Sequence, residues 1–192
     1  MKRIILLIGL VICFCLLSGI SLFRFGQSYL MSFEGKVVEA ETKEPIKGAA
    51  VLAVYYQETI SPAGSNYYAV DAQETLTNAN GEFKIYAKTV KLKDVSWKPS
   101  CNLKIFKPEY GVFPEHKLSK AIGEEFKGWP TPQKYIVYEL PKLKTIKERK
   151  ENMFFEYYNS FPYEKSGRFV DLINTERKNL GLPLVSTNKK GE

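Results

Sequence analysis

The residue types that could do chemistry are few in this chain and widely spaced. General acid–base and nucleophilic catalysis need a base held beside a nucleophile or a second acid. The single histidine, His116, lies in FPEHKLS (113–119) with no such neighbour in sequence and reads as an exposed loop histidine. Asn78, Asn80 and Glu82 have the i, i+2, i+4 spacing of some Ca²⁺ loops. Two neutral amides and one carboxylate, with no bidentate acid later in register, make a poor cage for that ion. Zinc chemistry needs several His, Cys or acidic ligands around an activated water, and no such cluster is visible in the sequence. Glu124 and Glu125 are adjacent, face apart, and read as a solvated loop. Cys101 is the sole cysteine beyond the first 24 residues, so it has no partner for an intramolecular disulfide there; it reads as a small buried hydrophobe. The expectation is no catalytic residue, no cofactor and no metal, hence no enzyme.

Charge and hydropathy point to a membrane instead. The net charge of +7 is carried by the ends of the chain: residues 25–141 hold 14 basic and 14 acidic groups. A nucleic-acid binder needs basic groups gathered on one surface to displace counterions, so nucleic acid is not an expected partner. Residues 4–23 form an uncharged run after Lys2 and Arg3, long enough to cross a hydrocarbon core of about 30 Å as a helix. Residues 1–24 are therefore a signal-anchor or a signal peptide; in the second case Gly19 and Ser21 suit cleavage after Ser21. Either exports the rest, which would stand outside the cytoplasm, anchored to the membrane or secreted. Cys13 and Cys15 follow Ile12 and Phe14, whereas lipoprotein processing wants a small residue there.

Residues 25–32 read as a linker. Beyond it, FEGKVVEA (33–40) and AAVLAVYY (49–56) read as strands, from their β-branched and aromatic content. QETISPAGSNYYAVDAQ (57–73) reads as a long polar loop, marked by Pro62, Gly64, Ser65 and Asn66. In ETLTNANGEFKIYA (74–87), Phe83 and Ile85 alternate with polar residues after Asn80-Gly81, which predicts a hairpin turn. CNLKIFKPEYGVF (101–113) and QKYIVYELPKL (133–143) supply further strands, closed by Pro108 and Pro141. Short strands with turn signals between them predict a mainly β, antiparallel sandwich of about seven strands over residues 33–141. A helical extension follows over 142–184, then a polar tail, 185–192. Its first helix would use Leu143, Ile146, Met153, Phe154 and Tyr157 as one face. Its second, 166–180, starts from Ser166, packs Phe169, Leu172, Ile173 and Leu180, and stops at Gly181. Both are expected to pack on the sandwich.

The ordered set Gly35 and Val37, Thr42 and Pro45, Gly48, Ala49 and Val51, Thr77, Gly81 and Phe83, and Tyr110-Gly111 resembles the carboxypeptidase regulatory-like domain. That resemblance implies a prealbumin-like β-sandwich. Lys43 stands where the family usually has Gly, Asn78 where it has Asp, and Tyr110-Gly111 reverses the usual order. Members fused to carboxypeptidases are accessory to a catalytic domain. Prealbumin-like hydrolases carry several histidines and a C-terminal Tyr-Arg-Gly-Ser signature, which this chain lacks. A related sandwich family closes a Lys–Asn isopeptide bond; Lys36 could be offered for that role, but no matching late Asn lies near KYIVYEL (134–140).

The expected function is a noncatalytic membrane-associated binding or scaffolding module of the cell envelope, with a protein partner there. A secreted carbohydrate- or peptide-binding module is the alternative, and a prealbumin-like hydrolase a further one. The expected contact surface is aromatic: Tyr56, Tyr67, Tyr68, Trp97 and Trp129, since such side chains give large contact area at low entropic cost.

Overall fold

A computed structural model of the chain describes residues 27–61, 64–91, 99–122, 135–154 and 163–185. Nine strands and two helices are present among them: β1 (Gln27–Leu30), β2 (Phe33–Glu39), β3 (Ala50–Ser61), β4 (Gly64–Leu76), β5 (Glu82–Ile85), β6 (Lys88–Lys91), β7 (Pro99–Phe106), β8 (Lys120–Ile122), β9 (Tyr135–Leu140), α1 (Ile146–Asn152) and α2 (Tyr163–Asn179). Seven strands form two sheets, ordered β5-β2-β9-β8 and β4-β3-β7, and β1 pairs with β6 as a separate ribbon. The sheets are antiparallel apart from β2 and β9, which run parallel with Gly35 beside Ile136. This corrects the all-antiparallel expectation: first and last strands of the sheet meet only after a long crossover, which strand composition does not reveal.

One core lies between the sheets. Phe33, Val37, Phe83, Ile85, Ile136, Tyr138 and Leu140 from the first sheet meet Val51, Ala53, Tyr55, Cys101, Leu103 and Ile105 from the second. The aromatic centre is Tyr138, with Phe113 edge-on at 5.0 Å and Phe83 at 5.9 Å between ring centroids. Burying each such side chain contributes about 1.5–3 kcal/mol. The unbroken apolar run of β3 has a physical reason, because both of its faces are covered. Val51, Ala53 and Tyr55 face the first sheet, while Ala50, Leu52 and Val54 face Phe169, Ile173 and Leu180 from the α2 region. The outer face of the first sheet is polar, with Lys84 Nζ 3.0 Å from Glu34; Lys36 lies on it opposite Glu82.

Four local expectations change. Asn80-Gly81 does make a turn: Asn78 Oδ1 accepts the N–H groups of Asn80 and Glu82, both at 2.9 Å, and Gly81 takes φ +75°. It is no hairpin, however, because β4 belongs to one sheet and β5 to the other. The long polar loop is instead the far part of a β3–β4 hairpin, paired from Ala50↔Leu76 to Ser61↔Gly64. The stretch read as a linker contains β1. Finally, α1 does not pack by an apolar face: Ile146 and Phe154 are exposed, and only the flanking Leu143 and Met153 are buried. Its start is fixed by a capping box between Thr145 and Glu148. Helix α2 begins three residues earlier than Ser166, at Tyr163, and Phe169 and Ile173 pack on the sheet as expected.

Candidate interaction surface

The β3–β4 hairpin outruns its sheet. Strand β7 pairs with β3 only as far as Gln57↔Pro99. Beyond that point the pairs from Glu58↔Tyr67 to Ser61↔Gly64 make a two-stranded arm with no third strand among the described residues. Tyr67 stands on it, 58% exposed, and Tyr68, 38% exposed, sits at its base opposite Gln57. Tyr56, expected on the same surface, is half-buried against the helix-side core. Trp97 and Trp129 lie outside the described residues, as do Glu124, Glu125 and residues 4–23. No helix among the described residues is long and apolar enough to cross a membrane.

The base of the arm is shaped by a β-bulge. Tyr55 faces Asp71 and Tyr56 faces Ala69, so β4 has one residue more than β3 here. A bulge bends its strand and re-aims side chains. Here it sets the carboxylate of Asp71, 2% exposed, at the edge of the sheet. Asp71 accepts from the Ala72 N–H at 2.9 Å, from Lys88 at 2.7 Å and from Lys165. Burial pushes its pKa up, but hydrogen bonds from Lys165, Lys88 and Ala72 outweigh that and hold it below the ordinary aspartate value. One carboxylate thus ties the β1–β6 ribbon and α2 to the base of the arm. Close by, the Tyr55 hydroxyl donates to the Met31 carbonyl at 3.0 Å and accepts from Gln73 Nε2 at 3.1 Å. The same amide reaches the Tyr86 carbonyl at 3.3 Å. Burial pushes the Tyr55 pKa well up, so the phenol stays a donor. A further carboxylate on β4, Glu74, accepts the N–H groups of Arg168 and Phe169, both at 3.0 Å, which fixes α2 along the sheet.

His116 is at the opposite end of the fold and is not a free loop residue. It is half-buried, and a Cβ on Gly111 would lie 2.6 Å from its ring. Nδ1 accepts the Leu118 N–H at 3.3 Å. Burial lowers its pKa, Lys117 adding to the effect and Glu148 opposing it. It opens on a recess of about 810 Å³ shared with Glu41, Lys144, Asn152 and Phe154. Lys144 is 3.2 Å from Glu41, so these charges are already matched to each other. Cys101 is buried in the core, and burial pushes its thiol up. Among the described residues, no group of three or more His, Cys, Asp or Glu side chains could hold a metal ion.

Sequence reading missed Asp71, which it placed in a polar loop, and with it the partners Lys88 and Lys165. It also missed Lys104 of β7, 2% exposed and paired with Glu115, and the Arg149–Glu176 pair between the helices. In each pair the partners lie on different segments of the chain, 11 residues apart for Lys104 and Glu115 and 94 for Asp71 and Lys165. Only the alternation within VDAQET (70–75) was available as a sign of strand, and it was masked by the Pro and Gly nearby. What fold and site define together is a mainly β protein with two packed sheets, one helical layer and a projecting aromatic arm. No family model, curated protein or solved structure matches the chain.

Proposed function

We propose that this chain is a noncatalytic binding or scaffolding module of the cell envelope. Residues 4–23 hold it to the membrane and the globular part lies outside the cytoplasm. The observation that carries the binding reading is the β3–β4 arm: a paired ribbon beyond the sheet with Tyr67 exposed on it and Tyr68 exposed at its base. Exposed tyrosines provide contact area at little entropic cost.

The fold reading within this proposal is a carboxypeptidase regulatory-like, prealbumin-like sandwich. Two details support it beyond the order of the motifs. Lys43, standing where the family usually has Gly, takes φ +64°, the backbone conformation that favours Gly. Thr77 is buried, donates to the Ile46 carbonyl at 2.6 Å and accepts the Ala49 N–H at 2.8 Å, which joins two of the motif segments and the residue that follows Pro45.

The test is photocrosslinking in cells that make the full chain. A benzophenone amino acid at Tyr67 or Tyr68 is expected to give adducts that are absent with the same group at Lys84, on the outer face of the first sheet. Equal, background labelling at all three positions would remove the arm as the contact surface.

A further inference from the structure

The two ribbons of this fold leave it at the same end. Strands β1 and β6 keep the pairing register of β2 and β5: Phe33 faces Ile85, and three positions further along both strands Leu30 faces Lys88. The β1–β6 ribbon is therefore the β2–β5 ladder carried on past the sheet, with Gln27 and Lys91 at its far end. The β3–β4 arm leaves beside it. Tyr55 to Met31, Gln73 to Tyr86 and Asp71 to Lys88 join the bases of the two ribbons. Each adds four paired positions, about 13 Å at ~3.3 Å per residue.

The chain enters by the first of these ribbons. Arg24, Phe25 and Gly26 alone separate the apolar run 4–23 from Gln27, a span of at most about 11 Å. A membrane span over 4–23 would place its bilayer directly beyond the end from which the arm projects. Apart from Glu58 at its base, the composition of the arm agrees with that place. From Thr59 to Val70 the sequence TISPAGSNYYAV has no charged residue, in a chain that is 26% charged. Tyr is enriched at the membrane–water interface, where its ring is apolar and its hydroxyl stays wet.

We infer that the β3–β4 arm rests in the headgroup region of the bilayer that holds residues 4–23. The module would then stand on the membrane at two points, its span and its arm, with the His116 recess turned away from the lipid. This inference rests on the proposal above that 4–23 spans the membrane and that the arm is a contact surface, and it names phospholipid as what the arm contacts.

The experiment uses the full chain with Cys13→Ala and Cys15→Ala, reconstituted in phosphatidylcholine–phosphatidylglycerol vesicles. Ser61→Cys carries an environment-sensitive fluorophore, and Lys117→Cys carries it at the other end of the fold. Cys101 is buried and stays unlabelled. Nitroxide lipids with the spin label at the headgroup are expected to quench the probe at position 61 several-fold more than that at 117. Adding Tyr67→Ser and Tyr68→Ser is expected to lower the difference. Equal quenching at 61 and 117 in a chain that resists alkaline carbonate extraction would overturn the inference and leave the membrane span standing. Extraction of the chain by carbonate would overturn both. Arm crosslinks to protein without lipid quenching would keep the arm as a contact surface and remove lipid as its partner.

Discussion

Helix α1 is held in place by charge and hydrogen bonds, and the size of that hold can be measured at Arg149. The helix has seven residues, none of them buried, whereas isolated helices shorter than about 12–15 residues are marginal in water. Arg149 Nε and NH2 donate to the two carboxylate oxygens of Glu176, each at 2.7 Å, and NH1 lies 3.6 Å from Glu109. Glu176 is 2% exposed and also accepts the Glu109 N–H at 3.3 Å. Arg149→Met therefore strands a buried carboxylate. Removing one partner of a buried pair costs about 3–5 kcal/mol. The Arg149 side chain is 18% exposed, so water can return to the gap and the expected loss is near the lower end, about 3 kcal/mol. In a chain of this length that is a fall in Tm of roughly 6–12 °C. Replacing both partners with Met removes the buried charge as well as the bond. The double variant is expected to melt within about 4 °C of the parent, because an apolar pair of similar volume is often neutral. Thermal melts of the parent, both single variants and the double variant close the cycle. A loss of less than about 1 kcal/mol for Arg149→Met, or a double variant worse than the two singles together, would refute the reasoning.

Three further outcomes follow from single residues. A Cβ on Gly35 would lie 2.2 Å from the Ile136 carbonyl oxygen, so Gly35→Ala must part the parallel β2–β9 ladder and cost at least the upper end of about 1–3 kcal/mol; Tyr86→Ala, at an exposed site, should stay within about 0.5 kcal/mol of the parent by urea titration. The folded His116 pKa lies below its ordinary value of 6.5, chiefly through burial, so its contribution to stability is present above 6.5 and is lost as pH falls through the folded value. His116→Gln should flatten that acid-side decline in urea midpoint, and an unchanged profile would show that the decline has another source.

Legibility in the sequence followed the range of the forces involved. AAVLAVYY announced β3 because burial on both faces demands an unbroken apolar run. Phe169 and Ile173 announced the packed face of α2, because helix period and burial coincide there. The same period failed at α1: Ile146 and Phe154 match it and are exposed, since polar bonds to Glu176, Tyr110 and Val112 hold that helix. Pro62 and Gly64 suggested a loop over residues 57–73, yet β3 stays paired with β4 as far as Ser61↔Gly64. The tyrosines of the contact surface were legible as aromatic residues, but not which of them face solvent. Tyr56 lies over the helix-side core, whereas Tyr67 lies past the last β7 pair, Gln57↔Pro99, and is exposed.

The sequence by itself determined what is local. It set the apolar run 4–23, the strand-forming segments, the Asn80-Gly81 turn and the dearth of histidine and cysteine. Propensity, periodicity and composition act within a few residues and need no partner. Tertiary structure alone decided what depends on distant segments meeting. It brought Lys88 and Lys165 to Asp71 and Arg149 to Glu176, laid β9 parallel to β2, and sent both ribbons out of one end of the fold. Buried charges must find partners wherever the chain supplies them, and which segment supplies them is fixed only when the sheets and helices have packed.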